Sequence, residues 1–301
     1  MNQTEITARA LELGFAKIYF VKPYSDEGTL LPGLVRDPLT ALPAAKTVIV
    51  LLMPYLPARE TDTRDGVISP YYAASNAAYR AAKTLAGEME KDGCTALSNV
   101  QFPLKPLLIR SGIGRQGSNS LVHVNGLGSA FHVQTILTDA AYEYSVPAAA
   151  PEDLCRNCGA CVRACPVHAI GEDHAVDRTK CLRAVSEEDP IPPAARPLLG
   201  NRLLGCDICQ NVCPYNAGIA GGDPIHVSLS AILDGDIENL KAIIGTNYAR
   251  RNKLMVKAAV AAGNLKRTDL IPKLEELMRA SEAPSVREAC LWALNEMEAD
   301  K

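Results

Sequence analysis

Ten cysteines stand in this 301-residue chain, and eight of them fall into two linked runs. The first is Cys155-x2-Cys158-x2-Cys161-x3-Cys165-Pro166. Three thiolates at this spacing can wrap one corner of an iron–sulfur cubane, while the fourth, carried past a turn fixed by proline, points away toward a different cluster. A second set is therefore required, and Cys181 followed by Cys206-x2-Cys209-x3-Cys213-Pro214 supplies it. Exchanging the two Cys-Pro cysteines gives one [4Fe–4S] cluster on Cys155, Cys158, Cys161 and Cys213 and a second on Cys165, Cys181, Cys206 and Cys209. The competing reading is a pair of structural zinc sites, since Cys-x2-Cys pairs also hold zinc. The Cys-Pro ending, present twice, favours iron–sulfur chemistry. Of the remaining two, Cys290 falls on a helical apolar stripe and reads as a small core residue, and Cys94 follows Gly93 in a loop with no role beyond packing. Linked cubanes relay electrons one at a time and leave bond chemistry to another centre, so a substrate or second cofactor is expected in the N-terminal part of the chain.

Composition narrows the class. With 48% hydrophobic and 22% charged residues, a mostly disordered chain and a polytopic membrane protein are excluded. The longest apolar run, Val48 to Met53, is far short of the roughly 20 residues that span a bilayer and reads as a buried strand. Met1 to Glu5 carries neither a basic nor an apolar leader pattern, so a cytoplasmic location with no membrane association is expected. Thiols are kept reduced there, which favours metal or redox chemistry over disulfides. A net charge of -3 does not announce a nucleic-acid binder.

The elements that must position these residues divide the chain in three. Residues 1–150 read as an α/β domain: helical spacing from Thr4 to Leu13, strands over Phe15–Val21 and Thr47–Met53, and an Ala-rich helix from Tyr71 to Met89. Pro147 to Pro151 reads as a linker. Residues 151–222 form a ferredoxin-like domain for two [4Fe–4S] clusters, in which the prolines of Asp189–Pro197 predict an extended loop. Residues 223–301 read as an all-α HEAT-like module, with Leu274, Leu277 and Met278 facing inward on one helix and Val286, Cys290, Ala293, Leu294 and Met297 on the next. Lys241, Arg250, Arg251, Lys253, Lys257, Lys266 and Arg267 form a stretch free of acidic residues, which suits either a phosphate backbone or a solvated helical face.

The double-cluster pattern, with Cys181 between its halves and the run Gly205-Cys206-Asp207-Ile208-Cys209-Gln210-Asn211-Val212-Cys213-Pro214-Tyr215-Asn216, resembles the epoxyqueuosine reductase family. Upstream, Ser111-Gly112-Ile113-Gly114-Arg115-Gln116-Gly117-Ser118-Asn119 is similar to that family's glycine run, and the tail resembles its HEAT-like module. The resemblance implies a cobalamin in the N-terminal domain, reduced by the nearer cluster, and removal of an epoxide oxygen from a tRNA-borne nucleoside. Gly112, Gly114, Arg115, Gly117 and Asn119 are then the candidate corrinoid loop, and tRNA is the implied partner of the basic stretch, with an electron donor still to be found.

The chain departs from the family where a proton donor is expected. No Asp or Glu occurs from Gly93 to Thr138, Ser98 stands at the position of the family's acid, and the following stretch is Phe102-Pro103-Leu104-Lys105-Pro106. These departures point to a divergent paralogue. Lys105, His123, His132, Tyr71 and Tyr72 are the groups left to hold a proton, and Lys105, flanked by proline and apolar residues, is the candidate catalytic group if desolvation lowers its pKa. The two histidines read as satisfied core residues. Gly112-x-Gly114-x2-Gly117 also matches a dinucleotide fingerprint, which requires a helix directly after it. Two further classes stay open: an electron carrier without bond chemistry, and a redox sensor that binds RNA or protein.

Overall fold

A computed structural model describes residues 1–24, 38–61, 63–101, 103–146, 151–171, 173, 175–219 and 221–299. Phe102 and most of the expected 147–151 linker lie outside them. The first elements are α1 (Gln3–Glu12), β1 (Lys17–Val21), α2 (Pro38–Ala41), β2 (Thr47–Pro54), β3 (Gly66–Ile68) and α3 (Tyr71–Lys91). Next come β4 (Ala96–Ser98), α4 (Leu104–Arg110), β5 (Arg115–Gln116), β6 (Val122–His123) and β7 (Phe131–Thr138). The cysteine-rich stretch holds α5 (Ala160–Ala164), α6 (Leu182–Val185), α7 (Arg196–Leu199), β8 (Arg202–Leu204) and α8 (Ile208–Asn211). The tail supplies β9 (Ile225–Val227), α9 (Leu229–Asp234), α10 (Glu238–Ile244), α11 (Arg251–Asn264), α12 (Ile271–Ala280) and α13 (Pro284–Glu298).

These elements form two compact units that do not divide at residues 150 and 222. The first comprises 1–55, 74–158 and 214–219; the second comprises 56–73, 159–213 and 220–301. The reason is strand pairing and a shared core. β3, early in the chain, pairs in parallel with β8 and antiparallel with β9. The cysteine-rich segment and the tail bury side chains in the same apolar core, with Leu182, Leu203, Leu254 and Val286 among its members.

The first unit is built on β2. Its sheet runs β1-β2-β7-β4 with every pair antiparallel. Because side chains alternate along a strand, Ile49, Leu51 and Met53 join α1 and α3 in one core, while Val48, Val50 and Leu52 join α4 and the β5–β6 hairpin in another. Residues 48–52 are fully buried, and each such side chain contributes about 1.5–3 kcal/mol by leaving water. A two-faced burial of this kind explains the unbroken apolar run.

In the second unit the tail is five helices joined by short turns. Gly263 lets α11 and α13 approach closely, since a Cβ there would stand 2.9 Å from Ala293 Cα. Val286, Cys290, Ala293 and Met297 are buried as the stripe predicts, whereas Leu294 is only partly covered. The Asp189–Pro197 segment contains a 3-10 turn at Pro193–Ala195 and leads into α7, because proline is tolerated in a first helical turn.

Candidate functional site

Cys165 ends α5, Cys181 is the N-cap of α6, and Cys206 and Cys209 bracket the start of α8, all within the second unit. The Ala169 N–H donates to Cys165 Sγ at 3.4 Å. Burial pushes the Cys206 thiol up to about 11 and the Cys209 thiol higher still, with Cys206, Cys161 and Cys181 adding their own negative field to Cys209. Ligation requires thiolates, so this crowd of sulfurs is unstable in its ionised form until iron offsets the charge, and the donor set fits a cluster. Among the described residues no three His, Cys, Asp or Glu side chains converge on a single ion; a cubane instead distributes its cysteines over separate irons. Of the other predicted ligands, Cys155 and Cys158 belong to the first unit, Cys161 and Cys213 to the second.

The surroundings of these cysteines are ordered by hydrogen bonds and rings. Asp207 is buried between Cys206 and Cys209; it accepts from the Ala58 N–H at 3.0 Å and the Gln210 amide at 3.2 Å, and burial holds its pKa above the ordinary value. Tyr72, fully buried, packs its ring against Gly205, Tyr71 and Tyr248, with ring centres 5.4 and 4.7 Å from the two tyrosines. Its hydroxyl donates to Glu187 Oε1 at 2.9 Å. The Arg183 guanidinium lies 5.3 Å from the centre of the Tyr71 ring. A hollow of about 560 Å³ opens beside this cradle, walled partly by Ala164, Pro166, Ile208 and Val212.

In the first unit the glycine run folds as the β5–β6 hairpin, with Arg115 opposite His123 and Gln116 opposite Val122. A Cβ on Gly117 would stand 2.5 Å from His123 Nε2, and one on Gly114 would stand 2.6 Å from Val122 Cγ1, so both glycines admit the hairpin's own side chains. A strand follows where a dinucleotide site needs a helix, and the fingerprint fails. His123 is 1% exposed and stacked on Tyr215, with ring centres 4.2 Å apart, yet neither ring nitrogen has a partner. It is therefore not a satisfied core histidine; burial pushes its pKa down to about 4 and keeps it neutral. Asn119 Nδ2 is likewise buried without a partner. His132 differs, since its Nε2 stands 3.1 Å from the Gln134 amide.

The hairpin also grips the chain just before Cys155. Arg115 donates to the Pro151 carbonyl at 3.0 Å and pairs with Asp153 at 3.3 Å. The Tyr215 hydroxyl accepts from the Leu154 N–H at 2.9 Å and donates to the Glu152 carbonyl. Lys105, on α4, is exposed, and its Nζ donates to Ser120 Oγ at 3.2 Å. The apolar enclosure expected around this amine is not present.

The basic stretch is dispersed in the structure. Lys257 is buried in α11, where desolvation pushes its pKa down to about 8, so it is not a phosphate contact. Arg267 is occupied by the Arg64 carbonyl, Asp65 and Asp269. Lys266 reaches the Glu296 carbonyl and Lys241 pairs with Glu238, while Arg250 and Arg251 are exposed and Lys253 is half-buried. Arg183 and Glu187 escaped the sequence reading, although both follow Cys181 within six residues.

Residues 154–216 match a 4Fe-4S double cluster binding domain, which decides against zinc. The chain is 30% identical over 291 residues to the epoxyqueuosine reductase of Escherichia coli strain K12, across 87% of this chain and 76% of that protein. The structure of epoxyqueuosine reductase from Bacillus subtilis, with its catalytic aspartate loop swung out of the active site, matches with a TM-score of 0.80 at 23% identity, covering 98% of this chain and 90% of that one. An epoxyqueuosine reductase holding a modified tRNA-Tyr stem loop matches with a TM-score of 0.81 at 22% identity and the same coverage. At such identities the structures establish the fold, and the Escherichia coli relative establishes the lineage. The carrier and sensor readings are not favoured: this chain is an iron–sulfur reductase and belongs to the epoxyqueuosine reductase family.

Proposed function

We propose that the chain passes electrons through two [4Fe–4S] clusters to a corrinoid at the glycine hairpin and reduces a carbon–oxygen bond of a nucleoside in tRNA. The observation that carries the corrinoid is the pair of orphaned groups in the hairpin. Asn119 Nδ2 offers a donor, and neutral His123 offers one donor and one acceptor. A ring carrying peripheral carboxamides would meet both needs. When bound, the corrinoid supplies the metal chemistry at the carbon–oxygen bond. Gly112, Gly114 and Gly117 shape the loop, Arg115 ties it to the segment before Cys155, and Asn119 and His123 would hold the ring through its carboxamides. Epoxide removal consumes two electrons and two protons and yields an alkene and water. Lys105, exposed and anchored to Ser120 without the expected apolar enclosure, is the group we place to hold a proton because the chain has no acid from residue 93 to 138.

Five helices in the tail are consistent with a HEAT-like module, and exposed Arg250 and Arg251 with half-buried Lys253 are the basic residues it offers to an RNA backbone. No helix among the described residues is long and apolar enough to cross a membrane. The test is anaerobic reconstitution to about eight irons per chain, as two cubanes require, followed by titration with cob(II)alamin under EPR. Saturable conversion to a base-off signal is expected. An unchanged signal with both clusters intact overturns the corrinoid. Turnover of epoxyqueuosine-containing tRNA then tests the substrate, and Lys105→Met is expected to abolish it at unchanged iron content.

A further inference from the structure

Asp207 and Asn211 stand on either side of Cys209, four positions apart across the turn of α8, so their side chains share a face. Both grip the same residue. Asp207 Oδ2 accepts the Ala58 N–H at 3.0 Å, and Asn211 Nδ2 donates to the Ala58 carbonyl at 2.5 Å. The other edge of this strap, residues 56–59, is fixed as well. The Pro57 carbonyl accepts from the Gly221 and Gly222 N–H groups at 3.1 and 2.9 Å, and the Arg59 N–H donates to the Gly222 carbonyl at 2.9 Å. Gly222 has no room for a side chain, since a Cβ there would stand 2.5 Å from Leu56 Cβ. Asn211 joins the two edges through Oδ1, which accepts the Gly221 N–H at 3.3 Å. Every one of these residues lies in the second unit, as do Cys165, Cys181, Cys206 and Cys209.

The strap separates two hollows. One, of about 130 Å³, is bordered by Ala58, Cys206 and Asp207; the other, of about 560 Å³, by Ala164, Asn211 and Val212. Arg59, Glu60 and Ile208 line both, so the end of the strap and the start of α8 are the wall between them. Lifting the strap lets water from the wide hollow into the one that Cys206 borders. A cubane held by thiolates carries one more negative charge when reduced, and water favours the more highly charged form. Solvent access therefore raises the reduction potential of a cluster, and a shell that excludes water lowers it. We propose that Asp207 and Asn211 are positioning residues that hold residues 56–59 down on the 206–209 turn, screen the cluster of Cys165, Cys181, Cys206 and Cys209 from water and so keep its potential low. A lower potential makes that cluster the stronger reductant. The inference rests on the two-cluster reading above and adds to it the device that tunes one of the clusters.

The experiment is an EPR-monitored redox titration of the reconstituted full-length protein beside Asn211→Ala and Gly222→Ala, neither of which changes a charge. Cys181→Ala identifies which of the two signals belongs to the second cluster. Asn211→Ala is expected to raise the reduced-to-oxidised ratio of that signal about tenfold at fixed potential, 59 mV for a one-electron couple, and to leave the midpoint of the other signal in place. Gly222→Ala, which pushes Leu56 and the strap outward from the far side, raises the ratio about threefold. Asn211→Gln keeps the donor and the acceptor and restores more than half of the change. Release of iron to bathophenanthroline becomes biphasic in Asn211→Ala, about four of the eight irons leaving faster than in the unsubstituted protein and the rest at the original rate. An unmoved or lowered midpoint of the second signal in Asn211→Ala, or an equal shift of both signals, overturns the assignment. Should Asn211→Ala fail to hold iron, the Gly222→Ala titration decides alone, an unmoved midpoint again overturning it. Failure of the unsubstituted protein to take up two clusters is a separate result and removes the two-cluster reading itself.

Discussion

Asp207 and His123 are buried to a similar depth, 7% and 1% exposed, and their situations are opposite. In the cysteine cradle, Asp207 receives hydrogen bonds from Ala58 and Gln210, and the Cys165 sulfur has an N–H donor in Ala169. In the glycine hairpin, both His123 nitrogens and Asn119 Nδ2 have none, an omission that costs about 1–3 kcal/mol for each buried group. The cradle pairs the buried Asp207 within its own unit and crowds the Cys206 and Cys209 thiols where burial disfavours their ionisation. The hairpin leaves open a set of hydrogen bonds that its own residues do not fill, and these are the groups the proposed corrinoid would satisfy.

That contrast can be broken at either end. The largest effect is expected in the cradle: Cys181→Ala should reduce the iron content from about eight to about four per chain and abolish electron transfer, as iron assay and EPR would register. Full iron retention would remove Cys181 from the ligand set. In the hairpin, the folded-state pKa of His123 is pushed down to about 4, below the unfolded value of 6.5. The unfolded chain therefore binds more protons in that window, and stability must fall as pH drops from 6.5 toward 4, by up to about 3 kcal/mol. His123→Phe keeps the stack on Tyr215 and should lose this slope in urea unfolding followed across pH; an unchanged slope would place the imidazole outside the buried pocket. Gly117→Ala should cost about 1–3 kcal/mol by overpacking against His123, and a double substitution with His123→Ala should recover most of it, a coupling that thermal denaturation can measure. Last, Arg59→Ala removes an ion pair with Asp223 whose partners are both more than half exposed. The expected change is under about 0.5 kcal/mol with no loss of iron, and a larger loss would mean that the hollow beside the cradle depends on that pair.

How much of this was legible in the sequence differs by region for a physical reason. Metal ligation is written in residue type and spacing, so the cysteine runs could be read from the chain alone. β2 was legible because burial on both faces leaves an unbroken apolar run from Val48 to Met53. The glycine hairpin was not, since Gly117 is required by a side chain six residues further on that touches it only after the turn closes. Lys257 was misread as part of a basic surface because charge was weighed ahead of context: from Leu254 to Gly263 every other residue is apolar or glycine, and a helix without a polar face is buried all round. Arg183 carried no signal of its own, as its place depends on a tyrosine more than a hundred positions earlier.

The interleaving of the two units limits how such a chain can be divided or inherited. A fragment ending at residue 150 would lack Asn216, whose side chain lies against the Cα of Gly128 and accepts the Ser129 N–H at 2.8 Å. A fragment beginning at 151 would lack β3, the middle strand of its sheet. A cut at either boundary removes a strand or a polar anchor from the unit it belongs to. Separate expression of residues 1–150 and 151–301 is therefore expected to leave each fragment short of a segment that completes its unit.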